Sequence, residues 1–242
     1  MWLTLDIGNS GVKAGLFDGP RLVSHQAWPV EAPFESDLLP WFSQYSIDRA
    51  GLCSVGPRRP QSWLGWGRRI PVLILSHTLR LPLEIEYTRP ELLGTDRIAA
   101  AAGAWVQFGR TAPVVIVDAG TTVTIDLVHN GVFLGGTIAP GPALMRNALS
   151  DGTASLPSVE LKVPAGAYGT DTTSAIQQGV MLGFIDMVTG AIQRASDALP
   201  APPVVVCTGG LHKLLVDQIA AIDHLMPHLV LRGIREIMRL NP

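Results

Sequence analysis

The chain has 242 residues, 47% of them apolar and 16% charged, with 18 Lys and Arg against 20 Asp and Glu. At a mean hydropathy of +0.29 it is too apolar to remain disordered, and it is long enough to bury one large or two modest cores without disulfides or a structural metal. The net charge of −2 provides no basic field for a phosphate backbone, so nucleic acid is not an expected partner.

The N-terminal Met1-Trp2-Leu3-Thr4-Leu5-Asp6 has no cationic segment and meets a carboxylate too early for a secretory leader. The uncharged apolar stretch 98–106 falls far short of the ~18 residues that span a bilayer, so a cytoplasmic protein without a membrane partner is expected.

Leu3 to Ile7 reads as a strand, followed by a polar turn and a second apolar strand, Val12 to Phe17, that ends in an Asp18-Gly19 hairpin signal. Arg49 to Val55 and Val72 to Ser76 read as buried strands. The Ala-rich segment Asp96 to Phe108 reads as a helix with Thr95 or Asp96 as its N-cap. Two further strands end at Asp118 and Val128, the second leading into an Asn130-Gly131 hairpin signal. Pro142 opens a helix that runs to Leu149. Thr173 to Leu199 carries apolar residues at 176, 180, 184, 188, 192, 195 and 199, a helical stripe. Val204 to Cys207 reads as a strand buried on both faces, and His212 to Ile222 as a helix after the Thr208-Gly209-Gly210 turn. Cys53 and Cys207 lie in apolar runs without a Cys-x-x-Cys pattern and read as buried free thiols.

The chain repeats itself once. Leu3 to Ser10 aligns with Val115 to Thr122, bringing Asp6 over Asp118, Gly8 over Gly120 and two small polar residues over two more. Both copies continue as strand, tight turn, strand, turn. Two homologous lobes, 1–111 and 112–242, are therefore expected, each a mixed α/β unit, with a cleft between them.

An Asp at the end of a buried strand, followed by Gly and small polar residues, offers a carboxylate for a cation and backbone N–H groups for an anion. Taken singly, either copy is an ordinary turn. Two in register favour a grip on a polyphosphate and its metal, with Lys13 as a point charge for phosphate. No Gly-x-x-x-x-Gly-Lys-Ser/Thr run is present, which disfavours a P-loop enzyme.

The paired turns resemble the phosphate motifs of the acetate and sugar kinase, Hsp70 and actin superfamily. Within it the chain resembles the type III pantothenate kinases along nearly its whole length. The segments that carry the likeness are Asp6-Ile7-Gly8-Asn9-Ser10, Tyr87-x-x-Pro90-x-x-x-Gly94-x-Asp96-Arg97 and Asp118-x-Gly120-Thr121-x-x-Thr124-x-Asp126. Gly135-Gly136-x-Ile138-x-Pro140-Gly141, Gly169-x-x-Thr172-x-x-Ala175-Ile176-x-x-Gly179 and Thr208-Gly209-Gly210 follow in the family's order.

The resemblance implies two ribonuclease-H-like, actin-like ATPase lobes, each a mixed sheet flanked by helices, and ATP-dependent phosphorylation of pantothenate to 4′-phosphopantothenate, the step that opens coenzyme A synthesis. It also implies roles. Asp6, Ile7, Gly8, Asn9, Ser10, Gly11, Val12 and Lys13 would contact the nucleotide with Gly120, Thr121 and Thr122, and Gly209-Gly210 would let the adenosine approach the backbone. Asp6 would help hold Mg²⁺, and Asp118 matches the position that binds a monovalent cation, potassium or ammonium. Tyr87, Gly94, Thr95, Asp96, Arg97 and Thr172 match pantothenate contacts, Asp96 being the catalytic base. A homodimer with substrate sites near its interface is implied as well. The alternatives are a non-catalytic regulatory relative of the transcriptional accessory type, or another small-metabolite kinase of the superfamily.

Elementary chemistry supports part of this. A kinase for an alcohol must orient the hydroxyl and accept its proton, and in a loose phosphoryl-transfer transition state positioning matters more than basicity. The planar fork of Arg97 suits a substrate carboxylate. The bland readings are a plain N-cap for Asp96, a mere chain reversal for Gly135-Gly136 to Gly141, core or dimer contacts for Trp2, Trp28, Trp41, Trp63, Trp66 and Trp105, and solvated pairs for Arg58-Arg59 and Arg68-Arg69. The six His show no metal spacing. Ser10 stands where the family more often has Thr, Arg89 where it has Asn, Gly56 where it has an apolar residue, and Asp171 where it has Asn. The last adds negative charge beside Thr172.

Overall fold

The computed structural model describes residues 1–32, 37, 39–55, 70–109 and 112–242. Gly56, both arginine pairs, Trp63 and Trp66 lie outside the described residues. In chain order the elements are β1 (Trp2–Ile7), β2 (Gly11–Asp18), β3 (Arg21–Pro29), a single turn α1 (Leu39–Phe42), β4 (Arg49–Ser54), β5 (Val72–Ile74), β6 (Glu84–Ile85) and α2 (Thr95–Phe108). They continue as β7 (Val114–Ala119), β8 (Thr122–His129), β9 (Val132–Pro140), α3 (Pro142–Gly152), α4 (Thr172–Asp197), β10 (Val204–Thr208), α5 (His212–Gln218), β11 (His224–Leu225) and α6 (Leu229–Leu240). The chain divides into two compact units, one of 1–111, 128–135 and 228–242, the other of 112–127 and 136–227.

The repeat is present at the level of strands. β1, β2 and β3 have 6, 8 and 9 residues, and β7, β8 and β9 have the same lengths. The first turn is longer by one residue: the Gly8 N–H donates to the Gly11 carbonyl at 2.9 Å, whereas the Gly120 N–H donates to the Thr122 carbonyl at 2.9 Å. The hairpin tips differ too. Asn130 and Gly131 both take positive φ, 49° and 78°, as a two-residue turn of the primed type requires. In the first copy only Gly19 does so, at 56°, because its neighbour Pro20 has φ locked by its ring.

In the first unit the strand order is β3-β2-β1-β4-β5, with β1 antiparallel to β2 and parallel to β4. Leu3, Leu5, Ile7, Val12, Ala14 and Leu16 build its core with Trp28, Trp41 and Phe42, the indoles of Trp28 and Trp41 meeting edge to face at 5.6 Å. β5 is not the buried strand that its composition suggests: as the sheet's edge it is only half-buried, with Ile74 exposed. α6 closes the unit over a floor of glycines. A Cβ at Gly51 would lie 2.7 Å from Ile234 Cγ2, one at Gly103 would lie 3.0 Å from the Leu229 carbonyl oxygen, and one at Gly233 would overlap the Ala99 carbonyl.

The second sheet orders its strands β11-β10-β7-β8-β9-β6, with β10 parallel to β7. All of Ile176, Val180, Phe184, Val188, Ile192 and Ala195 along α4 are buried, as the stripe predicts. By length and composition this 26-residue helix could cross a bilayer, yet half of its most apolar window is buried within the fold. Two elements differ from expectation. Gly135-Gly136 is not a loop but part of β9, where a Cβ at Gly136 would overlap the Ile125 carbonyl oxygen and the Asp126 carboxylate. α5 ends at Gln218, four residues short, where Ile219 leaves helical backbone at φ −121°, ψ 101°.

Candidate active site

In the first unit, β1 ends with Asp6 buried at 7% exposure, and Lys13 stands directly opposite it in the β1–β2 ladder. Opposed residues of an antiparallel pair leave the sheet on one face, so an acid and a base flank the root of the same turn. Asn9 and Ser10 at its tip are exposed, while Ile7 and Val12 on either side are buried and hold it. Gly11 is obligatory on steric grounds, since its Cβ would stand 2.9 Å from the Trp28 carbonyl oxygen on β3.

The start of α2 is fixed beside that turn. In the parallel β1–β4 pair, Asp6 lies opposite Cys53, and the Cys53 thiol hydrogen-bonds the Thr95 hydroxyl at 3.1 Å. The helix begins at Thr95 with Gly94 as N-cap and no capping side chain, which corrects the expectation of Thr95 or Asp96. Asp96 belongs to the first turn instead. Its Oδ1 accepts from the Arg97 N–H at 2.8 Å, and a Cβ at Gly94 would overlap that same oxygen. A carboxylate there also complements the partial positive charge at the helix N-terminus.

Arg97 is 6% exposed, and its guanidinium carbon lies 5.9 Å from the Tyr87 ring centroid and 5.6 Å from that of Phe133. The two rings stand 6.2 Å apart at 57°. Both distances fall within the ~6 Å reach of a cation–π contact. Thus the fold brings Tyr87 and Arg97 together, and Phe133 joins them unannounced by the sequence.

In the second unit the Asp118-Ala119-Gly120-Thr121 turn is hemmed by two glycines that reading the sequence left open. The Gly141 N–H donates to the Thr121 carbonyl at 2.9 Å, and a Cβ on Gly141 would stand 2.8 Å from that oxygen. Gly209, at φ +90°, brings its backbone against the turn from β10: a Cβ would lie 2.5 Å from Asp118 Oδ1 and overlap the Ala119 carbonyl. The His212 Nδ1 hydrogen-bonds the Gly209 carbonyl, and the Leu211 N–H donates to the Ala119 carbonyl at 3.0 Å. A carboxylate beside a carbonyl oxygen, in a cradle that a single methyl group would fill, suits a hard cation bound by oxygen. Gly210, by contrast, is exposed with open space where a Cβ would go. Burial, and then the charge of Asp118, push the Cys207 thiol up to about 12, so it keeps its proton at neutral pH.

Thr172 is the first residue of α4, and Asp171 is the N-cap. The Asp171 carboxylate accepts from the Ser174 N–H at 3.0 Å, and the Ser174 hydroxyl accepts from the Asp171 N–H at 3.2 Å, a capping box. The Ser174 N–H, then the Ser174 hydroxyl, hold this exposed carboxyl below the usual range. Gly169 packs against the same turn, where a Cβ would stand 2.5 Å from Ala175 Cα. Among the described residues no three His, Cys, Asp or Glu gather as a metal cluster.

Comparison with known proteins bears on what these turns do. Residues 2–194 match the family model described as type III pantothenate kinase. The type III pantothenate kinase of Acidothermus cellulolyticus is 32% identical over 255 residues, covering 100% of this chain and 99% of its own. Among solved structures, a Campylobacter jejuni protein provisionally described as a Baf family transcriptional activator superposes with a TM-score of 0.66 at 23% identity, covering 99% and 98% of the two chains. An inorganic polyphosphate/ATP-glucomannokinase from Arthrobacter gives 0.51 at 13%, covering 99% and 98%. These two likenesses concern the fold alone, two mixed α/β units.

Proposed function

We infer, from the premise that this chain belongs to the type III pantothenate kinase family, that it transfers the γ-phosphoryl group of ATP to the primary hydroxyl of pantothenate. The product is 4′-phosphopantothenate, and the reaction opens coenzyme A biosynthesis. The observation that carries this reading is the duplicated module, two strand–turn–strand units of matching strand lengths, each with an Asp one residue from the end of its first strand and a Gly opening the turn.

In this reading the backbone N–H groups of the turn at 8–11, with Lys13, take nucleotide phosphate, and those of the turn at 120–122 are phosphate donors of the same kind. Asp6, a single buried carboxylate, suits Mg²⁺, which keeps most of its shell as water and phosphate oxygen. When bound, that ion neutralises charge on the β- and γ-phosphates. Asp118 and the Ala119 carbonyl suit a potassium or ammonium ion, and beyond Gly209, which packs on that turn, Gly210 leaves open space where the adenosine can approach the backbone.

Asp96 accepts the proton of the attacking hydroxyl. One of its oxygens is already committed to the Arg97 N–H, which aims the carboxylate and leaves the other for the acceptor. Arg97 takes the pantothenate carboxylate, and Tyr87, Gly94, Thr95 and Thr172 complete the acceptor contacts. The functional enzyme is a cytoplasmic homodimer. A coupled ADP-release assay with pantothenate, with other short hydroxy acids, and with no acceptor tests the assignment. Turnover confined to pantothenate is expected. ATP binding without pantothenate turnover would point to the regulatory relative instead, and turnover with another hydroxy acid to a different metabolite kinase.

A further inference from the structure

We propose that Phe133 is a positioning residue for the acceptor site, holding the Arg97 guanidinium in an aromatic wedge with Tyr87 so that the enzyme's hold on a carboxylate-bearing acceptor depends on it. The inference rests on the pantothenate reading and deepens it.

Phe133 is fully buried, and its place is set by the backbone. β6, only two residues long, pairs in parallel with β9, with Glu84 opposite Val132 and Ile85 opposite Phe133. The Glu84 N–H donates to the Gly131 carbonyl at 2.7 Å and the Glu86 N–H to the Phe133 carbonyl at 3.0 Å. Side chains two residues apart on a strand share a face, so this register brings Tyr87 over Phe133 and Gly135. Gly135 is fixed as glycine by its φ of +115°, which L side chains rarely adopt, and a Cβ there would only touch Tyr87 Cε2 at an ordinary contact distance of 3.9 Å. The short strand thus sets two ring faces around one cation.

A guanidinium on a long stem has several rotamers, and a free one would lose that freedom only when substrate arrives. Two ring faces within 6 Å fix its plane beforehand. The ring faces offer the guanidinium no hydrogen-bond acceptor of their own, so they orient its plane without engaging its N–H groups. Phe133 thereby contributes to affinity for the acceptor without touching it.

The test compares wild type with Phe133→Leu and with a protein carrying ring-trifluorinated phenylalanine at position 133, which keeps the shape but drains electron density from the ring face. The pantothenate KM is expected to rise about tenfold in Phe133→Leu and at least threefold on fluorination, with kcat and the ATP KM within about twofold of wild type. A packing role would leave the fluorinated enzyme unchanged, and that result overturns the proposal. So does an equal rise in both KM values. If Phe133→Leu does not fold, the fluorinated enzyme decides. A wild type inert toward pantothenate would sink the parent reading, whereas an active wild type with a fluorine-insensitive KM sinks this proposal alone.

Discussion

Replacing Asp96 by Asn separates its two jobs. As a helix-start residue, Asp96 offers Oδ1 to the Arg97 N–H at 2.8 Å. The Asn amide oxygen can accept that bond in the same place, so the fold loses only the interaction of a negative charge with the helix dipole, about 0.3–1 kcal/mol. For a chain of this size that amounts to about 1–4 °C in melting temperature. As a base, however, the amide is useless: it has no lone pair basic enough to take the hydroxyl proton, and its NH₂ presents a donor to a donor. General-base loss costs about 10²–10⁴ in turnover, or about 2.7–5.4 kcal/mol of barrier. The coupled ADP-release assay at saturating substrates should therefore show kcat falling at least a hundredfold, with the ATP KM within about twofold and the melt nearly unchanged. A loss below tenfold would remove Asp96 from the chemistry. A parallel loss of ATP affinity or a collapsed melt would show that Asp96 acts by holding the site together.

Asp171→Ala should lower the melting temperature by about 1–8 °C through the lost cap, and Asp171→Asn should not, since either side chain caps well. Because the folded carboxyl titrates below its usual range, its contribution is present above that range and disappears as pH falls through the folded value. The acid limb of a thermal melt series should shift in Asp171→Asn. Cys207 has the opposite sign. Folded, it keeps its proton up to about 12, whereas the unfolded thiol ionises near 9.0, so the urea midpoint should fall as pH rises above 9 and fall less steeply in Cys207→Ala. Asp118→Ala should abolish potassium or ammonium activation of turnover while pantothenate affinity changes little; activation that survives would place the cation elsewhere.

Much of the fold could be read from residue order alone because its signals are local. Alternating apolar runs around Asp18-Gly19 and Asn130-Gly131, and the stripe from Ile176 to Ala195, need no distant partner to be recognised. Gly135-Gly136 allowed a chain reversal because two glycines ordinarily mark a loop, whereas here both lie in a strand and Gly136 relieves contact with the Ile125 carbonyl across the sheet. Arg97 and Tyr87 stood out in their motif. Phe133 did not, because its part depends on pairing with a two-residue strand nearly fifty positions earlier, which leaves no periodic trace. The role of α6 was equally hidden: its apolar residues suit a helix, but the floor it covers is assembled from Gly51, Gly103 and the strands beneath.

That last helix has a bearing on how the molecule comes into being. A ribosome emits residues 1–109 well before 229–240, yet the early half needs the late segment to cover Gly51 and Gly103 and to give the Arg49 guanidinium its Met238 and Asn241 carbonyls. Residues 112–227 meanwhile include every residue of the other unit. The half synthesised first is thus the half completed last, and a nascent chain halted before residue 229 would expose an unfinished apolar trough for chaperones to shield.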